Sequence, residues 1–93
     1  MISNDRPTNA SDPAYQDVAV TPNDTEDSAH SLLIGKTPPR ALWIGVGGDV
    51  KVHLVGSSAA VVYKNVPSGS ILPVRAQYVW STGTTATNIV AMY

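Results

Sequence analysis

Hydrophobic and polar positions follow different rules on the two sides of residue 40. Residues 1–30 show neither helical periodicity nor strand alternation, and they are rich in Asn, Asp, Ser, Thr and Pro, which favour turns and extended chain. The pattern predicts an extended N-terminal arm and linker over residues 1–39. Within it, Asp17-Val18-Ala19-Val20 is a short strand for any sheet edge that accepts it. Ser31-Leu32-Leu33-Ile34 predicts a helical turn ending at Gly35, and Lys36-Thr37-Pro38-Pro39 a stiff linker, because each proline fixes φ and restricts the residue before it.

From Arg40 onward the pattern is β. Ala41-Leu42-Trp43-Ile44-Gly45-Val46 is a short apolar run. Gly47-Gly48-Asp49 follows and is expected to close a hairpin, since glycine supplies the positive φ that such a turn needs. Val50-Lys51-Val52-His53-Leu54-Val55 alternates, with Val50, Val52 and Leu54 on one side and Lys51 and His53 on the other. Gly56-Ser57-Ser58 turns the chain into a strand over 59–66, and Pro67-Ser68-Gly69 reads as a type I turn. The longest strand spans 71–81, with Pro73 near its start or on an edge. Thr82-Gly83-Thr84-Thr85 turns again, and 86–93 is the last strand.

These elements predict an all-β fold: a small antiparallel β-sandwich or barrel of about five strands over 40–93, preceded by the arm. Such a unit is small. A domain near 60 residues buries only about 60% of the surface its unfolded chain exposes, and usually adds disulfides, metal or partner chains. The 93-residue chain has no cysteine, so disulfides and thiolate metal sites are excluded. Association with itself or with a larger surface is the expected remedy.

Charge sharpens the division. The net charge is −1, yet residues 1–28 hold Asp5, Asp12, Asp17, Asp24, Glu26 and Asp27 against Arg6, whereas 29–93 hold Lys36, Arg40, Lys51, Lys64 and Arg75 against Asp49. An acidic arm lying on a basic surface is one expectation, and a solvated tail is the other. A net charge of −1 leaves no global field to hold nucleic acid or an anionic membrane. Residues 2–30 contain no signal-peptide core, and no run reaches the roughly 18–20 apolar residues of a membrane helix, so the expectation is a soluble chain that binds neither nucleic acid nor membrane.

Candidate chemistry is sparse. Asp49, His53 and Ser57 or Ser58 have the residue types of a hydrolytic triad, but on one strand Asp49 and His53 stand about 13 Å apart at roughly 3.3 Å per residue, too far for relay contact. His30 and His53 lack a zinc spacing. Asp24-Thr25-Glu26-Asp27 lacks the central glycine of a calcium loop, and reads as a solvated acidic turn. Gly45-Val46-Gly47-Gly48 has Val50 where a dinucleotide loop needs glycine. The expectation is therefore no enzyme, no cofactor and no metal. Asn9-Ala10-Ser11 and Asn23-Asp24-Thr25 match the glycosylation pattern by chance. Trp43, Tyr63, Tyr78, Trp80 and Tyr93 fall mostly in apolar strand patterns, which points to core or subunit-interface packing over stacking on bases or sugars. Together with Asp17, Val18, Ala19 and Val20 they form the candidate assembly set.

Three segments carry a family likeness: Arg40-Ala41-Leu42-Trp43-Ile44-Gly45-Val46-Gly47-Gly48-Asp49-Val50, Lys64-Asn65-Val66-Pro67-Ser68-Gly69-Ser70-Ile71-Leu72-Pro73-Val74-Arg75, and Thr82-Gly83-Thr84-Thr85-Ala86-Thr87-Asn88-Ile89-Val90-Ala91-Met92-Tyr93. In this order and spacing they resemble the head-spike base proteins of gene transfer agents and related small virion proteins of tailed bacteriophages; residues 1–39 carry little of the likeness. The resemblance implies a virion structural protein on the outer surface of the capsid, forming a homo-oligomeric β-rich base for a head spike or fibre. Its implied partners are itself, the major capsid protein and the spike, with the arm reaching across the shell or a neighbouring subunit. It carries no catalytic motif. A capsid cement protein without a fibre and a carbohydrate-binding β module are the alternatives.

Overall fold

A computed structural model describes residues 15–93; Asn9-Ala10-Ser11 and the charges of Asp5, Arg6 and Asp12 lie outside the described residues. The fold is all-β. Seven strands run in chain order as β1 (Asp17–Ala19), β2 (Ala41–Val46), β3 (Gly48–Leu54), β4 (Val61–Val66), β5 (Ser70–Leu72), β6 (Ala76–Val79) and β7 (Thr87–Met92). They form two antiparallel sheets, one in the order β1-β7-β2-β5 and one in the order β4-β3-β6. This is the expected sandwich class, with seven strands in place of about five. Two differences account for the extra strands. Residues 17–19 pair with β7, Asp17 opposite Met92 and Ala19 opposite Val90. The long strand expected over 71–81 is broken at Pro73-Val74-Arg75 into β5 and β6, which belong to different sheets.

The core follows from alternation. Leu42 and Ile44 of β2, Val50 and Val52 of β3, and Ile89 and Ala91 of β7 are buried between the sheets, because successive strand residues point to opposite faces. Ala76 and Val79 of β6, three residues apart, are both buried because the register of β6 on β3 shifts between them. The face predicted for β3 holds: Val50 and Val52 are buried and Leu54 packs against the core.

The connections depart from the sequence expectation. Gly47-Gly48-Asp49 does not close a hairpin, because β2 and β3 lie in different sheets. The chain crosses between layers there instead. A Cβ on Gly47 would meet Ser68 N at 2.6 Å, and one on Gly48 (φ 153°) would meet Thr85 Oγ1 at 2.5 Å, so bare backbone is what lets three crossings meet at one end. Side chains lock this corner. The Asp49 carboxylate accepts the Asn65 N–H at 3.1 Å, Thr85 Oγ1 accepts the Asp49 N–H at 2.8 Å, and Thr84 Oγ1 accepts the Lys51 N–H at 2.9 Å. The turn after β4 also crosses between sheets, and it centres on Ser68-Gly69 with Gly69 at φ 70°, one residue later than the expected type I turn, which would centre on Pro67-Ser68 with Gly69 fourth. Gly56-Ser57-Ser58 lies in the loop of a true hairpin, β3 to β4.

The helical turn expected at 31–34 is absent. A turn occupies 28–30, where the Asp27 carbonyl accepts the His30 N–H at 3.1 Å, and Ile34 and Thr37 pair across Gly35-Lys36 as a small bridge. Leucine-rich spacing alone did not distinguish a helical turn from a segment whose N–H groups find sheet carbonyls: the Leu32 N–H donates to Gln77 O at 2.7 Å. Among the described residues no helix is long and apolar enough to cross a membrane.

Candidate functional site: two sheet faces

The outer face of the four-stranded sheet carries one continuous apolar row. Registers place Ala19 opposite Val90, Val90 opposite Trp43, and Trp43 opposite Ile71, so the row crosses β1, β7, β2 and β5 in turn. All four alternate with core-facing neighbours and therefore point away from the core. Trp43 is 38% and Ile71 57% exposed. The next row holds Asp17, Met92 and Ala41.

The outer face of the three-stranded sheet is built otherwise. Lys51 and His53 project from β3, with Tyr78 of β6 opposite His53 at a ring-centroid distance of 6.1 Å. Trp80 follows β6, and Lys51 Nζ lies 4.5 Å from the centre of its ring, a cation–π distance. Acidic residues of the preceding segment cover this face. Glu26 Oε2 accepts Trp80 Nε1–H at 2.7 Å and stands 2.8 Å from His53 Nδ1. Both Asp24 carboxylate oxygens bind Thr82, one accepting its N–H at 2.7 Å and the other its hydroxyl at 2.6 Å. The backbone follows suit: the Asn23 N–H donates to Val79 O at 3.0 Å and the Leu32 N–H to Gln77 O. Residues 20–33 thus strap the free edge of β6.

Electrostatics at the strap are consistent with this geometry. The bond from His53, with help from Trp80, holds the Glu26 carboxyl below its ordinary 4.5, and the Glu26 carboxylate, followed by the Ser57 carbonyl, raises His53 above 6.5. Hydrogen bonds from Thr82 lower Asp24 below 3.8. Asp27 is lowered by His30, whose Nδ1 stands 2.6 Å away.

The candidate assembly residues separate into three groups. Ala19 and Trp43 share the apolar outer face, with Asp17 in the adjoining row, whereas Val18, opposite the buried Ala91, lies on the other face of β1. Val20 and Tyr63 pack against the core, and Tyr93 is buried, its hydroxyl donating to Leu32 O and its N–H to Gln16 O at 2.7 Å. Tyr78 and Trp80 lie on the strapped face. Val90 and Ile71 complete the apolar row, and strand parity was the signal that could have found them. Residues 24–27 are exposed, as a solvated acidic turn would be, yet Asp24 and Glu26 also bond to the β-body, and the opposed charges of the two halves were the hint. The triad-type residues do not converge. Asp49 serves the corner, and His53 Nε2 stands 2.8 Å from the Ser57 carbonyl rather than its hydroxyl. Among the described residues no group of three His, Asp or Glu is disposed to hold a metal ion.

No family model matches the chain, and no curated protein matches it. A solved structure does: a chain in the "Capsid of native GTA particle computed with C5 symmetry", where GTA denotes a gene transfer agent, superposes with a TM-score of 0.73 at 33% identity. The match covers 97% of this chain and 95% of that one. It therefore extends well into residues 1–39, beyond the segments in which the likeness was legible. With nearly complete mutual coverage and this identity, the chain belongs to the family of that gene transfer agent capsid chain, a family of virion structural proteins.

Proposed function

We propose that this virion protein sits on the outer surface of the capsid as a homo-oligomeric base that anchors a head spike or fibre, and that the apolar row Ala19-Val90-Trp43-Ile71 is its assembly surface. The observation carrying this reading is that row: four registered apolar side chains on an exposed sheet face, in a chain of the capsid family. Exposed contiguous apolar surface marks interaction sites, and aromatic residues concentrate at interface centres. Small size without disulfides favours the same conclusion. The major capsid protein is the proposed support, and the spike the proposed load.

Light scattering on the full chain tests it. The proposal predicts a closed oligomer with a mass several times that of one chain, dissociated by Trp43→Glu without loss of the β circular-dichroism signal. A folded monomer that still binds capsids at a stoichiometry near that of the capsid protein would overturn the base reading in favour of a cement role. Quenching of Trp43 by polysaccharide would instead favour a carbohydrate-binding module.

A further inference from the structure

His53 stands between two acceptors. Its Nδ1 is 2.8 Å from Glu26 Oε2 and its Nε2 is 2.8 Å from the Ser57 carbonyl oxygen. A backbone carbonyl and a carboxylate only accept, so both ring nitrogens must carry protons to satisfy the pair, and that species is the imidazolium. A neutral ring leaves one bare nitrogen lone pair facing an oxygen lone pair at hydrogen-bond distance. The ring is partly sheltered, its side chain 21% exposed and that of Glu26 28%.

We propose that His53 is a proton-operated latch on the strap formed by residues 20–33: the imidazolium holds Glu26 down, and loss of its proton releases the strap from the edge of β6. The surroundings define what else bears on the switch. From the strap, Glu26 faces the ring; from β6, Tyr78 lies beside it; from its own strand, Lys51 is turned onto Trp80. The other strap carboxylates are engaged elsewhere, Asp24 on Thr82 and Asp27 on His30. Glu26 is therefore the anion that reads the charge of His53. It couples that charge to Trp80, because one oxygen, Oε2, serves both His53 and the Trp80 indole N–H. The raised proton affinity of His53 agrees with the geometry. Release would free the carbonyls of Gln77 and Val79, which now accept the strap's Leu32 and Asn23 N–H groups.

The test uses the full chain. The His53 ring is titrated by NMR while amide-exchange protection factors, corrected for the intrinsic pH dependence of exchange, are followed for Asn23, Leu32 and the core strand residue Val52. Between about pH 5.5 and about pH 8.5 the His53 midpoint is expected above 6.5, with protection at Asn23 and Leu32 falling about tenfold across that midpoint while Val52 is unchanged. In Glu26→Gln the midpoint is expected to return toward 6.5 and the strap amides to lose their pH dependence. A midpoint at or below 6.5, or strap protection that stays constant across it, overturns the latch. The wild-type titration decides the matter even where the variant folds poorly.

Discussion

The outer face of the four-stranded sheet presents Trp43, and that of the three-stranded sheet presents Tyr78 and Trp80, yet among the described residues only the second is covered by the preceding segment. Chemistry accounts for the difference. The strapped face offers groups that need partners: an indole N–H, an imidazole and a lysine. Glu26 and Asp24 answer the first two and the neighbouring Thr82 with hydrogen bonds, and the strap N–H groups answer the carbonyls of the β6 edge. The apolar row Ala19-Val90-Trp43-Ile71 offers area and no polar group in its side chains apart from the indole N–H. An acidic segment gains nothing by lying on it, and Trp43 and Ile71 are exposed. Asp24 and Glu26 thus fold onto the three-stranded sheet, and the face that the described residues leave exposed is the one proposed for assembly.

The comparison can be broken in several ways, beginning with the largest effect. Ile44→Ala, on the core side of the strand that bears Trp43, is expected to cost about 2–5 kcal/mol by urea denaturation, because it removes a fully buried side chain and leaves a cavity. Both faces depend on the corner that aligns the sheets. Gly48→Ala is expected to cost about 1–3 kcal/mol, since the new methyl meets Thr85 Oγ1 and the Ala86 backbone at a φ that side chains rarely adopt. At the strap, Asp24→Asn should leave global stability nearly unchanged and raise amide exchange at Thr82, where both of its carboxylate oxygens bind. On the bare face, Ile71→Ser should change monomer stability by no more than about 0.5 kcal/mol while weakening self-association. A large loss of stability there would mean that the row supports the fold rather than assembly.

The pH response separates the faces again. His53 is raised above 6.5 in the folded chain, so its contribution to the strap is complete below 6.5 and is lost as pH rises through the folded value. Glu26 is lowered below 4.5, so its contribution is complete above 4.5 and is lost as pH falls through its folded value. The strap is therefore held best between 4.5 and 6.5. The apolar row has no titrating group apart from its flank, so self-association through it should be nearly flat over the same interval when followed by light scattering.

Much of this architecture was legible in the residues, and the misreadings share a cause. Alternation in Val50-Lys51-Val52-His53-Leu54 fixed the two faces of β3. It did not say which strand lies alongside. Gly47-Gly48-Asp49 has the composition of a hairpin turn and serves as a layer crossing, because the deciding contacts come from Ser68 and Thr85, far away in sequence. The apolar run across Pro73 hid a second crossing in the same way: the Val74 N–H turns back to Leu72 O, so the chain changes sheet where the hydropathy does not change. For the candidate site, aromatic content singled out Trp43 and Tyr93 alike without distinguishing Tyr93, buried within the chain, from Trp43, exposed on its face. Glu26 and Asp24 were visible only as net charge, since their partners His53, Trp80 and Thr82 are more than 25 residues away.

The most direct measurement compares side-chain reactivity in the free chain and in assembled particles by hydroxyl-radical footprinting read by mass spectrometry. The account predicts strong protection of Trp43, Ile71 and Val90 on assembly, with Val61 and Val55, exposed away from the apolar row, little changed. Equal reactivity of Trp43 in the two states would contradict the assignment of the apolar sheet face to assembly.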